Sequence, residues 1–120
     1  MTGLARWVLF DIPIGTVLPE EFLFRGVVDT VATAVVGPRA ALLFGSTAFG
    51  VWHWYDSGRS VPVVLFTGAA GALFVESKRR TGTILTPMAL HWAANSIGAV
   101  ASTWWRSTRG DRPPRGRGRA

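Results

Sequence analysis

A chain of 120 residues with 48% hydrophobic and only 17% charged residues is unusually apolar for its length. Small soluble domains have much surface to cover and carry about 25% charged residues, so the composition, with a mean hydropathy of +0.27, points towards lipid. Cys is absent, which excludes disulfides, thiolate nucleophiles and Cys-ligated zinc.

The net charge of +6 is unevenly placed, since residues 106–120 hold six Arg against one Asp and leave only +1 for the rest. Rich in Gly, Pro and Arg, residues 106–120 are expected to be a disordered tail beside anionic lipid rather than a nucleic-acid ligand. Residues 1–105 then form one unit.

In chain order, residues 4–18 are apolar apart from Arg6 and Asp11, with Pro13 inside and Pro19 just beyond. Pro19 suits a first helical turn and the acidic Glu20 and Glu21 suit its positive end, so one helix is expected over about 19–36 after a shorter or kinked segment. Runs free of charge follow at 40–55, 60–75 and 81–105. A span needs about 20 mostly apolar residues. The last run qualifies alone, and the two shorter ones reach span length if Arg39, Arg59 and Glu76 snorkel. Turns are expected at 37–39, 56–59 and 77–82, where Gly, Pro and charges cluster. Trp52, Trp54, Tyr55, Trp104 and Trp105 sit at run ends, as an interfacial belt does. Gly68 to Ala72 offer small residues for close helix approach, within the chain or in a homo-oligomer. The fold expected is an all-α polytopic transmembrane bundle of about four main helices.

Glu20, Glu21, Arg25 and Asp29 have no place against lipid, where each charge costs about 2.5–3.5 kcal/mol. Glu21, Arg25 and Asp29 share one helix face at i, i+4 and i+8, so Arg25 is expected between two carboxylates. Glu20 points about 100° away and has no partner on its own helix. An unpaired, partly desolvated carboxylate has a raised pKa and suits general-base work; a purely structural polar network is the alternative. His53 follows Phe49 by four residues, and Asn95 follows His91 by four. Counted from Gly82, His91 lies about 14 Å along its span, near mid-bilayer.

The strings EEFLFRG (20–26), FGVWH (49–53) and HWAAN (91–95) resemble the EExxxR, FxxxH and HxxxN signatures of the CPBP family. Its members are membrane-embedded proteases, among them the type II CAAX prenyl endopeptidases and bacterial bacteriocin-processing and self-immunity proteins. The resemblance covers roughly residues 5–100. It implies an intramembrane endopeptidase acting on membrane-associated or C-terminal peptides. Glu20 would activate water, Glu21 and Arg25 would shape the site, His53 would orient the water, and His91 with Asn95 would hold the oxyanion. Glu20, His53 and His91 are also the candidate ligands should the site hold a divalent metal such as zinc, although no HExxH motif is present. Family members usually carry further helices ahead of the first signature, so this chain is expected to be the catalytic core of a larger fold.

Two rival readings keep the same residues. One is a catalytically inactive membrane protein, an immunity factor or peptide-binding scaffold; the other is a transporter fragment with a Glu/His proton relay. A serine protease is disfavoured because Ser46 and Ser96 lack a nucleophile turn. The expected partners are a peptide or protein substrate and membrane lipid, without nucleic acid. Counting Lys and Arg across the expected spans puts the tail and Arg59 on one side, and Arg39 with residues 78–80 on the other. The positive-inside rule makes the tail side cytoplasmic, in a membrane that the Gly-, Ala- and Arg-rich composition suggests is bacterial.

Overall fold

Prolines and glycines set the helix boundaries in this chain. The structure, a computed structural model, describes residues 3–110, which contain helices and turns and no strand. Four helical stretches follow one another: α1 over residues 3–36, α2 over Pro38–Trp52, α3 over Val61–Thr81 and α4 over Leu85–Arg109. Gly37 has a φ of 83° and stops α1, and Pro38 opens α2 at a position where its missing N–H is harmless. Gly82, left-handed at φ 70°, closes α3 by donating its amide to the Lys78 carbonyl.

α1 departs from the expected boundary at Pro19. It is helical throughout, with wide π turns at Trp7–Asp11, Pro13–Val17 and Phe22–Val28 between tighter α turns. A proline inside a helix removes one i to i−4 bond. Here the backbone widens around Pro13 and Pro19, and the amides of Ile12, Leu18 and Asp29 reach carbonyls five residues back. Such π turns recur at functional sites because they re-aim side chains.

The third turn also differs from expectation. α3 continues through residues 77–81 because Lys78 and Arg79 are tied to α1, and only residues 82–84 remain as the connection. α4 likewise runs past residue 105 to Arg109, so the first part of the expected tail is helical. Residues 111–120, the rest of that tail, lie outside the described residues.

Among the described residues one helix, Val61–Thr81, is long and apolar enough to cross a membrane. α2 falls short at 15 residues because His53 turns the chain. α4, which was expected to qualify alone, has the length but not the apolarity, since Thr86, His91, Asn95, Ser96, Ser102 and Thr103 interrupt it.

α2 and α3 pack tightly. A Cβ on Gly50 would lie 2.6 Å from the Val64 carbonyl oxygen and 3.1 Å from Gly68 Cα, so only glycine permits this crossing. Gly71 faces Phe49 in the same way, with 3.0 Å between an added Cβ and the ring. The small residues expected to favour association are therefore used, at least in part, inside the chain.

Burial is inverted relative to a water-soluble domain. Among the described residues eight hydrophobic ones are buried, whereas twenty-eight large ones are exposed, on all four helices and at Tyr55 in the turn after α2. The buried set includes Glu21, Arg25, Asp29 and His91. Two apolar clusters support them, Phe24–Phe49–Phe74 around the charges and Ile12–Val17–Ala99 where α1 meets α4.

Candidate active site

The site begins with the short α turn Leu18–Glu21, held between two π segments of α1. Two adjacent carboxylates leave it in different directions. Glu21 points inward and is fully buried; its Oε1 accepts a 3.0 Å hydrogen bond from Arg25 Nη1. A second guanidinium nitrogen, Nη2, donates to the Gly71 carbonyl at 3.3 Å, while the third, Nε, is buried without a hydrogen-bond partner. The guanidinium also lies over the Phe49 ring, 4.2 Å from its centroid. A buried ion pair needs such extra partners to offset desolvation.

The expected clamp of Arg25 between Glu21 and Asp29 is half realised. Asp29 accepts instead from Arg79 Nη2 at 2.7 Å and Lys78 Nζ at 3.2 Å, and Lys78 Nζ also donates to the Arg25 carbonyl. The wide turn Phe22–Val28 changes the angular step between Arg25 and Asp29, and two cations from α3 take the second carboxylate.

Glu20 has no partner on its own helix, as its direction implied. Its Oε1 accepts a 3.3 Å bond from the indole N–H of Trp52, at the end of α2. Its Oε2 is buried without a hydrogen-bond partner. Facing Oε2 are His53 Nε2 at 3.7 Å and His91 Nε2 at 3.8 Å. Three helical stretches thus bring one carboxylate and two imidazoles together.

The two imidazoles differ in what holds their other nitrogen. His53 Nδ1 lies 2.8 Å from the Phe49 carbonyl oxygen, and His91 Nδ1 lies 2.7 Å from Glu21 Oε1. Both oxygens only accept, so each Nδ1 carries a hydrogen. A neutral His53 then offers its Nε2 lone pair to the cavity. His91 Nδ1 faces a carboxylate oxygen rather than a backbone carbonyl. Phe49 walls both rings, with centroids 4.7 Å from His53 and 5.6 Å from His91, and Phe74 stacks on His91 at 5.2 Å.

Asn95 is not brought into this cluster. Its side chain makes no hydrogen bond among the described residues and lines a neighbouring cleft between α1 and α4. The helical step from His91 to Asn95 stacks the two residues, but the π turns of α1 place the carboxylates beside His91 alone.

Several residues of the site were not singled out by spacing. Trp52 reads as an interfacial aromatic and Lys78 and Arg79 as turn charges, and spacing says nothing of Phe24 or Phe74. Only Phe49, four residues before His53, carried a usable signal.

A model of the type II CAAX prenyl endopeptidase Rce1-like family matches residues 2–97, and the chain belongs to that family. No curated protein and no solved structure matches the chain. Membership places it, at the coarse level, among membrane proteases of the CAAX type.

Proposed function

We propose that the chain is an intramembrane endopeptidase in which Glu20 activates water, His53 holds it and His91 stabilises the oxyanion. The observation that carries this reading is the pair of Nε2 atoms, 3.7 and 3.8 Å from a buried Glu20 Oε2 that has no other partner. Those gaps exceed a direct hydrogen bond and suit an interposed water.

In this mechanism a water donates one hydrogen to Glu20 Oε2 and the other to His53 Nε2, which leaves its lone pairs free for attack. The water oxygen bonds to the scissile carbonyl carbon as its proton passes to Glu20. The carbonyl becomes an oxyanion, and His91, doubly protonated, donates from Nε2 to it. The C–N bond then breaks and Glu20 returns its proton to the leaving amine. Fixed donors in a dry site are worth most at the oxyanion stage.

The reading proposed here is metal-free. Bonds of about 2.0 Å in a tetrahedron set ligand atoms about 3.3 Å apart, closer than the 3.7 and 3.8 Å seen at Glu20 Oε2. No group of three His, Cys, Asp or Glu side chains suited to a metal ion occurs among the described residues. The steps above use protein groups and water alone.

Exposed apolar side chains around buried charges support a lipid setting for the whole bundle; the cytoplasmic placement of the tail side is proposed from the Lys and Arg count alone. Substrates in this reading are membrane-associated peptides, CAAX-type C-termini among them. The test is hydrolysis of a fluorescence-quenched, prenylated CAAX-type peptide by the protein in phospholipid vesicles. Glu20→Gln and His91→Gln are expected to lower kcat by about 10²–10³ each, and a chelator to change nothing. Equal rates in the parent and in Glu20→Gln would overturn the assignment.

A further inference from the structure

One helical turn from the proposed catalytic residues, a cleft of about 330 Å³ opens between α1 and α4. Thr16 and Asn95 line its near part, Trp7 and Ser102 its far part, and Ala94 and Gly98 are among the small residues between them. Thr16 precedes Glu20 by four residues and Asn95 follows His91 by four, so the cleft continues the site along the α1–α4 seam. Neither the Thr16 hydroxyl nor the Asn95 amide makes a hydrogen bond among the described residues.

We infer that this cleft binds the main chain of the substrate peptide on one side of the scissile bond, with Asn95 and Thr16 as its hydrogen-bonding partners. The inference rests on the peptidase reading for its direction. An Asn side chain presents one carbonyl and one N–H₂ group, the complement of the C=O and N–H of a peptide bond. An acyl chain offers such groups nothing, and leaving them unpaired away from water is costly. The dimensions agree. From Asn95 to Ser102 the α4 axis advances about 10 Å, which about three extended residues cover at about 3.4 Å each. Room for the backbone comes from Gly98, where an added Cβ would meet nothing within 4 Å. Main-chain bonding of an extended segment is a common way to gain affinity without fixing sequence.

The chain has no Cys, so a single introduced thiol reports on the cleft directly. Ser102→Cys places a thiol within it, and Ile97→Cys, at a residue 70% exposed, places one elsewhere on α4 as a control. Both are made in Glu20→Gln, and alkylation by a maleimide is timed in phospholipid vesicles with and without the prenylated CAAX-type peptide. Peptide at ten times its Kd is expected to slow alkylation at Ser102→Cys about tenfold and leave Ile97→Cys unchanged. Equal rates with and without peptide would overturn the inference, as would protection by the free prenyl alcohol alone. In the Glu20-intact chain, Gly98→Val is expected to raise KM about tenfold with kcat unchanged, the signature of lost uniform binding. Protection that persists although Glu20→Gln cleaves as fast as the parent would keep the cleft as a peptide site while removing the catalytic reading.

Discussion

Arg25→Met tests the polar interior most sharply. The guanidinium is 1% exposed and the Glu21 side chain is fully buried. Met keeps much of the length and the contact with Phe49, so the change removes charge more than volume. Glu21 is then left with the His91 ring as its remaining hydrogen-bond partner. Breaking a buried pair from one side costs about 3–5 kcal/mol. At about 4 °C per kcal/mol for a chain of this size, Tm falls by about 12–20 °C. Glu21→Gln strands the opposite charge and costs a similar amount. The double variant removes both charges and is expected to be less destabilised than the sum of the singles by about 1–3 kcal/mol. Thermal unfolding in detergent micelles, followed by fluorescence of the six Trp residues, measures all four proteins. A Tm for Arg25→Met within about 2 °C of the parent, the scale of an ordinary surface change, would refute the buried pair.

Gly50→Ala would place a Cβ 2.6 Å from the Val64 carbonyl oxygen, whereas Gly45→Ala meets nothing within 4 Å. The first is expected to lose about 1–3 kcal/mol by overpacking and the second to hold or gain about 0.5–1 kcal/mol, read from the same unfolding curves. Asp29→Asn weakens the link from α1 to Lys78 and Arg79, whose side chains are about a quarter exposed. A loss of about 1–3 kcal/mol and faster proteolysis between residues 77 and 84 are expected. Trp52→Phe keeps the ring beside Phe24 but removes the donor to Glu20 Oε1. In the peptidase assay it should lower kcat by about three- to tenfold with KM unchanged.

Much of this architecture was legible because the signals were strong and local. Charge-free runs located α2, α3 and α4, and Gly37 with Pro38 marked a boundary that the backbone adopts. The direction of Glu20 away from Glu21 followed from helical pitch alone, and so did the pairing of Glu21 with Arg25. What was not legible came from contacts between distant segments. Asp29 is taken by Lys78 and Arg79, which also carry α3 through the expected turn. Pro19 reads locally as a helix start, but neighbouring turns widen and the helix passes through it. Asn95 sits at helical spacing from His91, yet the packing of α1 decides which of the two meets the carboxylates. Trp52 reaches Glu20 across 32 positions of sequence, a distance over which spacing rules carry no information.

The central claim is that Glu20 and His53 act on one and the same water. A double-mutant cycle in the vesicle peptidase assay tests it most directly, comparing Glu20→Gln, His53→Ala and the combined variant with the parent. Groups that work as a unit are non-additive, so the combined variant is predicted to be within about threefold of the slower single variant. Losses in kcat that multiply would show that the two side chains act separately, and would contradict the shared water.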